Sequence, residues 1–234
     1  MIIYSPFSLP HIIYLVLSTL FVLFGCICMK SNKVSEKTKR IIIKISAVIV
    51  IIAVIIKQIE VTRKHFLLNE SNYLVYLLPN SFCSFSAFFL AIFSLVGKKD
   101  NNGFHFLCYT VLIGCLPSII CPDYLYHQAF FELGTMASLI FHVLAVWISL
   151  ALFFTNYFVP DFKKFWCYPA GFIIMIVFGM IQVYLFGSND AMNIAKPLIS
   201  GWNFTYWYFL FPVFCGFTLL LIWLYCKYTH NKKS

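Results

Sequence analysis

Two side chains in this sequence have the types and the placing for a reactive thiol–imidazole pair, Cys83 and His142. A thiol next to an imidazole can lose its proton and act as a nucleophile. Cys83 lies ten residues into an apolar run that starts at Tyr73, and His142 eleven residues into one that starts at Phe131. At about 1.5 Å per residue, both would sit roughly 15–17 Å below the same edge of a helical layer. Equal depth lets side chains on adjacent helices meet. Asn80, Cys83, Ser84 and Ala87 recur at helical spacing, as do Thr135, Ser138 and His142, giving small polar stripes that favour close helix approach. Pro79, one turn before Cys83, removes a backbone hydrogen bond and opens the chain there.

Bland roles compete with this one. A Cys in an apolar run is commonly packing filler, and a lone intramembrane His can simply bond a neighbouring carbonyl. A thiol in dry hydrocarbon is also inert, so the pair needs a wet pocket or an imidazolium. Asn80 or Ser84 would be placed to donate to an oxyanion. Asp123, His127, Glu132, Gln182, Asn189, Asp190 and Asn203 border span ends, where they would either rim a mouth for a lipid headgroup or merely meet water.

The elements that must hold these residues are membrane helices. The chain has 234 residues, 62% apolar and 11% charged, with only eight acids, and a mean hydropathy of +0.87. That is too little charge for a soluble surface, too much Phe and Ile for disorder, and too large a chain for a disulfide scaffold. Seven runs reach spanning length or near it, at Ile12–Met29, Ile41–Ile59, Tyr73–Val96, Phe104–Ile120, Phe131–Tyr157, Trp166–Phe186 and Trp202–Tyr225. The Ile- and Val-rich second run would suit a strand in water, but in lipid the backbone must bond within its own segment, and a helix is expected. The first run is long enough to span and lacks a charged n-region, so a removable signal peptide is not expected.

The fold class is therefore all-α, a single polytopic domain over residues 1–234. Thirteen of the seventeen Lys and Arg fall on one set of loops, leaving Lys57, Arg63, Lys64 and Lys196 on the other. The positive-inside rule then puts the N-terminus outside and the C-terminus inside. The net charge of +9 does not signal nucleic acid, because the basic residues sit in short clusters between apolar runs. No phosphate loop, zinc motif or nucleophile elbow is present and the nine Cys lack metal-ligand spacing, so neither a cofactor nor a metal is expected. Lys outnumbering Arg, with high Ile, suggests an AT-rich genome and so a bacterial cell membrane.

The segment Leu78-Pro79-Asn80-Ser81-Phe82-Cys83 resembles the Leu-Pro-x-His-x-Cys signature of the bacterial YwaF-like integral membrane proteins, relatives of the eukaryotic transmembrane protein 164 family. Pro122-Asp123, Phe141-His142, Gly187-Ser188-Asn189, Lys196-Pro197 and Gly201-Trp202 follow at matching intervals, so that the likeness covers about residues 73–226. The resemblance implies a membrane acyltransferase acting on lysophospholipids, with Cys83 as nucleophile and His142 as base, and membrane phospholipid and an acyl donor as its partners. One position departs from the pattern: Ser81 stands where the relatives carry His. The alternative is a non-enzymatic transporter or lipid-binding subunit, whose polar residues would line a path. Transporters usually show paired repeats and more buried charge than this sequence does.

Overall fold

The computed structural model describes residues 7–122, 128–196 and 205–230, and the backbone alone at 205–209 and 229–230. Asp123, His127, Pro197, Gly201, Trp202 and Asn203 lie outside the described residues. Among those described are seven α-helices: α1 (Leu9–Lys30), α2 (Glu36–Leu67), α3 (Phe82–Val96), α4 (Phe104–Ile120), α5 (Leu133–Phe154), α6 (Cys167–Met180) and α7 (Thr205–His230). Five helical stretches are long and apolar enough to cross a membrane: α1, α2, α5, residues 162–185 around α6, and most of α7. Helices α3 and α4 are apolar but shorter, at 15 and 17 residues.

Helix α5 is the central post. Its spanning stretch is 72% buried, and α1, α2, α3 and α4 all pack on it. The core runs from Ile43, Ala47 and Val50 of α2 through Leu90 of α3 and Val111 of α4 to Ile148 and Leu152 of α5. Large apolar side chains of α1, α2, α6 and α7 face outward, as expected of helices solvated by lipid. The β-branched second run is helical, as its membrane setting requires, and extends to 32 residues, about 48 Å. Ser35 caps it by accepting from Thr38 N at 3.1 Å, Glu36 pairs with Lys39 at 2.7 Å, and Lys64 and His65 occupy its last turn.

The third span departs from expectation. The sequence reads as one helix from Tyr73, but the chain makes a 3-10 turn at Tyr73–Leu77, runs extended through Leu78, and enters α3 only at Phe82. Pro79 accounts for this, since the residue before a proline is pushed out of the α region. Three hydrogen bonds satisfy the carbonyls exposed by the break. Gln58 Nε2 donates to Leu78 O at 2.9 Å, Gln182 Nε2 to Pro79 O at 3.1 Å, and Met192 N to Asn80 O at 2.8 Å. Non-helical backbone in an apolar bundle persists only with such partners.

Polar contacts collect at two ends of the bundle. At one end, Asp100 N donates to Tyr157 O at 2.8 Å, Asp100 Oδ1 is 2.8 Å from His105 Nε2, and Lys164 is paired with Asp100. There too, the Arg40 guanidinium lies 3.5 Å over the Tyr157 ring. At the other end, Lys64 of α2 pairs with Glu132 before α5 at 3.0 Å.

Candidate active site

Cys83 is the second residue of α3, not a residue in the middle of a long helix. Ser81 is the N-cap. Its hydroxyl accepts from Ser84 N at 3.2 Å, and Ser84 Oγ accepts in return from Ser81 N at 3.1 Å, forming a capping box. The residue that departs from the family pattern thus has work of its own in this chain, because Ser is among the best N-caps. Starting the helix here brings the positive end of its dipole next to the Cys83 sulfur.

Across from Cys83 stand His142 on α5 and Cys115 on α4. The sulfurs of Cys83 and Cys115 and a ring nitrogen of His142 all lie within 4.8 Å of one another. His142 Nδ1 is 2.7 Å from Ser138 O. A carbonyl has no proton to give, so Nδ1 carries the hydrogen and Nε2 is the nitrogen able to take one. Phe141 stacks on the imidazole with centroids 4.1 Å apart and holds it from the side. Ser118 Oγ lies 3.4 Å from Cys83 Sγ and 2.9 Å from Gly114 O. Gly114 is what lets α4 come this close: a Cβ there would meet Phe82 Cδ1 at 2.9 Å and Cys83 Sγ at 3.4 Å.

Cys83 and His142 open onto a cavity of about 430 Å³ with Lys57, Ser118 and Ser138 at its polar part and Phe82, Ile113, Phe141, Leu210 and Phe214 among its apolar walls. A volume of this order suits a small ligand or part of a lipid. The two residues thus line one cavity, brought there for a different reason from the one the spacing suggested. A helix start just after Pro79 presents Cys83, where matched depth along two spans was expected to bring the pair together.

The other anticipated residues take varied places. Asn80 precedes α3 instead of sharing its stripe, and its Oδ1 is 3.3 Å from Lys57 Nζ. Ser84 is fully buried in the capping box and does not line the cavity. Asn189 is elsewhere, with Nδ2 donating to Glu70 Oε2 at 3.0 Å and its amide N 3.3 Å from Tyr76 Oη. His65 sits 2.9 Å from the same carboxylate and stacks on Tyr76 at 3.6 Å. This pairing holds the Glu70 carboxyl below its ordinary range, chiefly through the hydrogen bond with His65. Gln182, expected at a mouth, is buried under Pro79. Asp190 accepts from Ala195 N at 2.9 Å within its own loop.

Lys57, Cys115 and Ser118 escaped the sequence reading. In the sequence Lys57 reads as a topology signal and Cys115 as apolar filler. The one available signal was Lys57 itself, a cation inside an otherwise apolar stretch. Two thiols and an imidazole are also a donor set that would suit a thiophilic cation such as zinc. No linear spacing announced it, because its members come from three helices.

A helical membrane protein that sets a thiol beside an imidazole in a cavity is the class the fold and the site define. Within that class, this chain belongs to the TMEM164 family, whose model matches residues 6–227. The match reaches well before the region that the motifs marked out, taking in α1 and the Lys57-bearing α2. No curated protein and no solved structure matches the chain.

Proposed function

We propose that this protein is a membrane-embedded acyltransferase acting on phospholipid and lysophospholipid acyl chains through a Cys83 acyl-enzyme, with His142 as base. The observation that carries this reading is the grouping of Cys83 Sγ with a His142 ring nitrogen within 4.8 Å at the wall of a largely apolar cavity. His142 Nε2 takes the proton of the Cys83 thiol, and the sulfur attacks the acyl carbonyl of a donor ester. As the carbon–oxygen bond of that ester breaks, the imidazolium returns the proton to the departing alkoxide. A lysophospholipid hydroxyl then gives its proton to His142 and attacks the thioester. The acyl group leaves Cys83, which recovers its proton. The first-turn amides of α3 take the role of oxyanion donors in this scheme, since the Ser84 hydroxyl is engaged in capping. Asn80 contributes by orienting Lys57, and Asn189 belongs to a polar rim.

The same reading includes seven spans, with the N-terminus outside and the C-terminus inside, in a bacterial cell membrane and within the YwaF-like branch. Helix α3 is about 22 Å long at 1.5 Å per residue, and the 3-10 and extended segment from Tyr73 supplies the rest of its crossing. An interrupted span is also seen in transporters, so the decisive experiment is a chemical one. Purified protein in nanodiscs, given an isotope-labelled phospholipid and a lysophospholipid, should transfer the label and carry it transiently on Cys83, as read by mass spectrometry. Cys83→Ala should abolish transfer, and His142→Ala should slow it roughly 10²–10⁴-fold. Undiminished transfer by Cys83→Ala overturns the proposal.

A further inference from the structure

A second cavity, of about 300 Å³, adjoins the first and shares two of its wall residues, Lys57 and Ser138. Its lining is the more polar of the two. Glu60, Lys64, His65 and Gln128 line it, in place of the aromatic and aliphatic walls around Cys83. Lys57 therefore stands where a greasy chamber meets a polar one.

The ion pairing at this end of the bundle sets Lys57 apart. Lys64 has Glu132 at 3.0 Å, Arg63 has Glu60 at 2.8 Å, and His65 has Glu70 at 2.9 Å. The Lys57 ammonium has instead two neutral amide oxygens, Gln58 Oε1 at 3.2 Å and Asn80 Oδ1 at 3.3 Å. Among the described residues no carboxylate comes within 4.0 Å of it. Glu60, one turn along α2, also lines the polar chamber, but its carboxylate is bound by both Nε and Nη2 of Arg63. Amide oxygens aim an ammonium without cancelling its charge. A cation kept inside an apolar bundle without a countercharge is costly unless a ligand provides one.

From this arrangement we infer that Lys57 is the binding site for the phosphodiester of a bilayer glycerophospholipid. The inference rests on the acyl-transfer reading above and identifies the part of the substrate that fixes its register. The phosphodiester is a monoanion, and a compact ammonium recognises it as a point charge. In a glycerophospholipid an acyl ester is only a few bonds from the phosphate. Anchoring the phosphate at the junction leaves the ester beside Cys83, the acyl chain among Phe82, Phe141 and Phe214, and the headgroup in the polar chamber. Lys57 and Cys83 line the same cavity, so a phosphate bound at the ammonium shares a chamber with the nucleophile.

Protection of Cys83 from alkylation tests this without turnover. Purified protein in detergent is treated with a maleimide alongside a dialkyl glycerophosphocholine, which has no ester to transfer. Parallel samples receive a dialkylglycerol lacking phosphate, or desulfo-coenzyme A. The phospholipid ether should slow labelling of Cys83 at concentrations about tenfold lower than the phosphate-free lipid requires, and desulfo-coenzyme A should not protect. In Lys57→Gln the advantage of the phosphate-bearing lipid should vanish, and in Lys57→Arg it should remain, with melting curves verifying that each variant is folded. Should Lys57→Gln not fold, the wild-type comparison of the two lipids decides. Equal protection by both lipids, an unchanged advantage in Lys57→Gln, or protection by desulfo-coenzyme A alone overturns the inference. Lys57-dependent protection in a protein that transfers no acyl chain would defeat the proposed reaction and leave the phosphate site standing.

Discussion

At the scale of single residues, the site is a contest for one sulfur. Cys83 has an imidazole, a second thiol and a hydroxyl around it, and each favours a different fate. Proton transfer to His142 makes it a nucleophile. A soft cation would instead gather Cys83, Cys115 and His142 as ligands, closing three donors that already lie within 4.8 Å. Added zinc should therefore inhibit acyl transfer, reversibly on chelation. Cys115→Ser, which removes one soft ligand but neither proposed reacting group, should raise the inhibitory zinc concentration by roughly tenfold or more. Titrating activity against free zinc in the two proteins measures this. Identical sensitivity would mean that Cys115 is a packing residue only.

At the scale of elements, the decisive feature is the break before α3, which turns an interior residue of a span into the first turn of a helix. Two buried glutamines hold that break open by donating to consecutive carbonyls, Gln58 to Leu78 and Gln182 to Pro79. Gln58→Leu fills similar space but leaves Leu78 O without its donor, a loss expected to cost about 1–3 kcal/mol. Thermal unfolding in detergent should show that loss, and activity should fall further than stability does, because this segment sets the start of α3 at Cys83 and Gln58 Oε1 also accepts from Lys57 Nζ at 3.2 Å. A variant as stable as wild type would show that water or another donor serves the carbonyl. Pro79 made the break legible in the sequence, since a proline pushes the residue before it out of the helix. The extent of the break was not legible, because the glutamines that allow it come from α2 and from the π-helical turn after α6, distant along the chain. The same limit applies to the site. Cys83 and His142 stood out as polar residues in apolar runs, whereas Cys115 gained meaning only when Gly114 let α4 close on α3. Lys57 reads in the sequence as a topology signal alone, and only the structure sets it at the wall shared by two cavities.

For the whole molecule, the polar contacts at the bundle ends act as clasps across the helices. The clasp at Asp100 joins three parts of the chain: the turn before α4 holding Asp100 itself, Tyr157 after α5, and Lys164 before α6. Asp100 lies outside the spanning helices. Burial tends to raise its pKa, but the hydrogen bonds and charges of Lys164 and His105 prevail and hold it below the ordinary carboxylate value. A carboxyl with a folded-state pKa below its unfolded one, about 3.9, adds stability that is full above that value and is lost as pH falls through the folded-state pKa. The contribution is modest, on the order of 0.2–1 kcal/mol, because the pair is partly exposed. Asp100→Asn is a clean test, since Asn accepts the left-handed backbone seen here, with φ at 56°. Wild type should melt at a higher temperature than the variant at pH 6, and the difference should shrink as the pH is lowered through 4 towards 3. A gap that stays constant with pH would assign the clasp to backbone bonding, chiefly Asp100 N to Tyr157 O and Lys164 Nζ to Asp100 O, and not to the carboxylate.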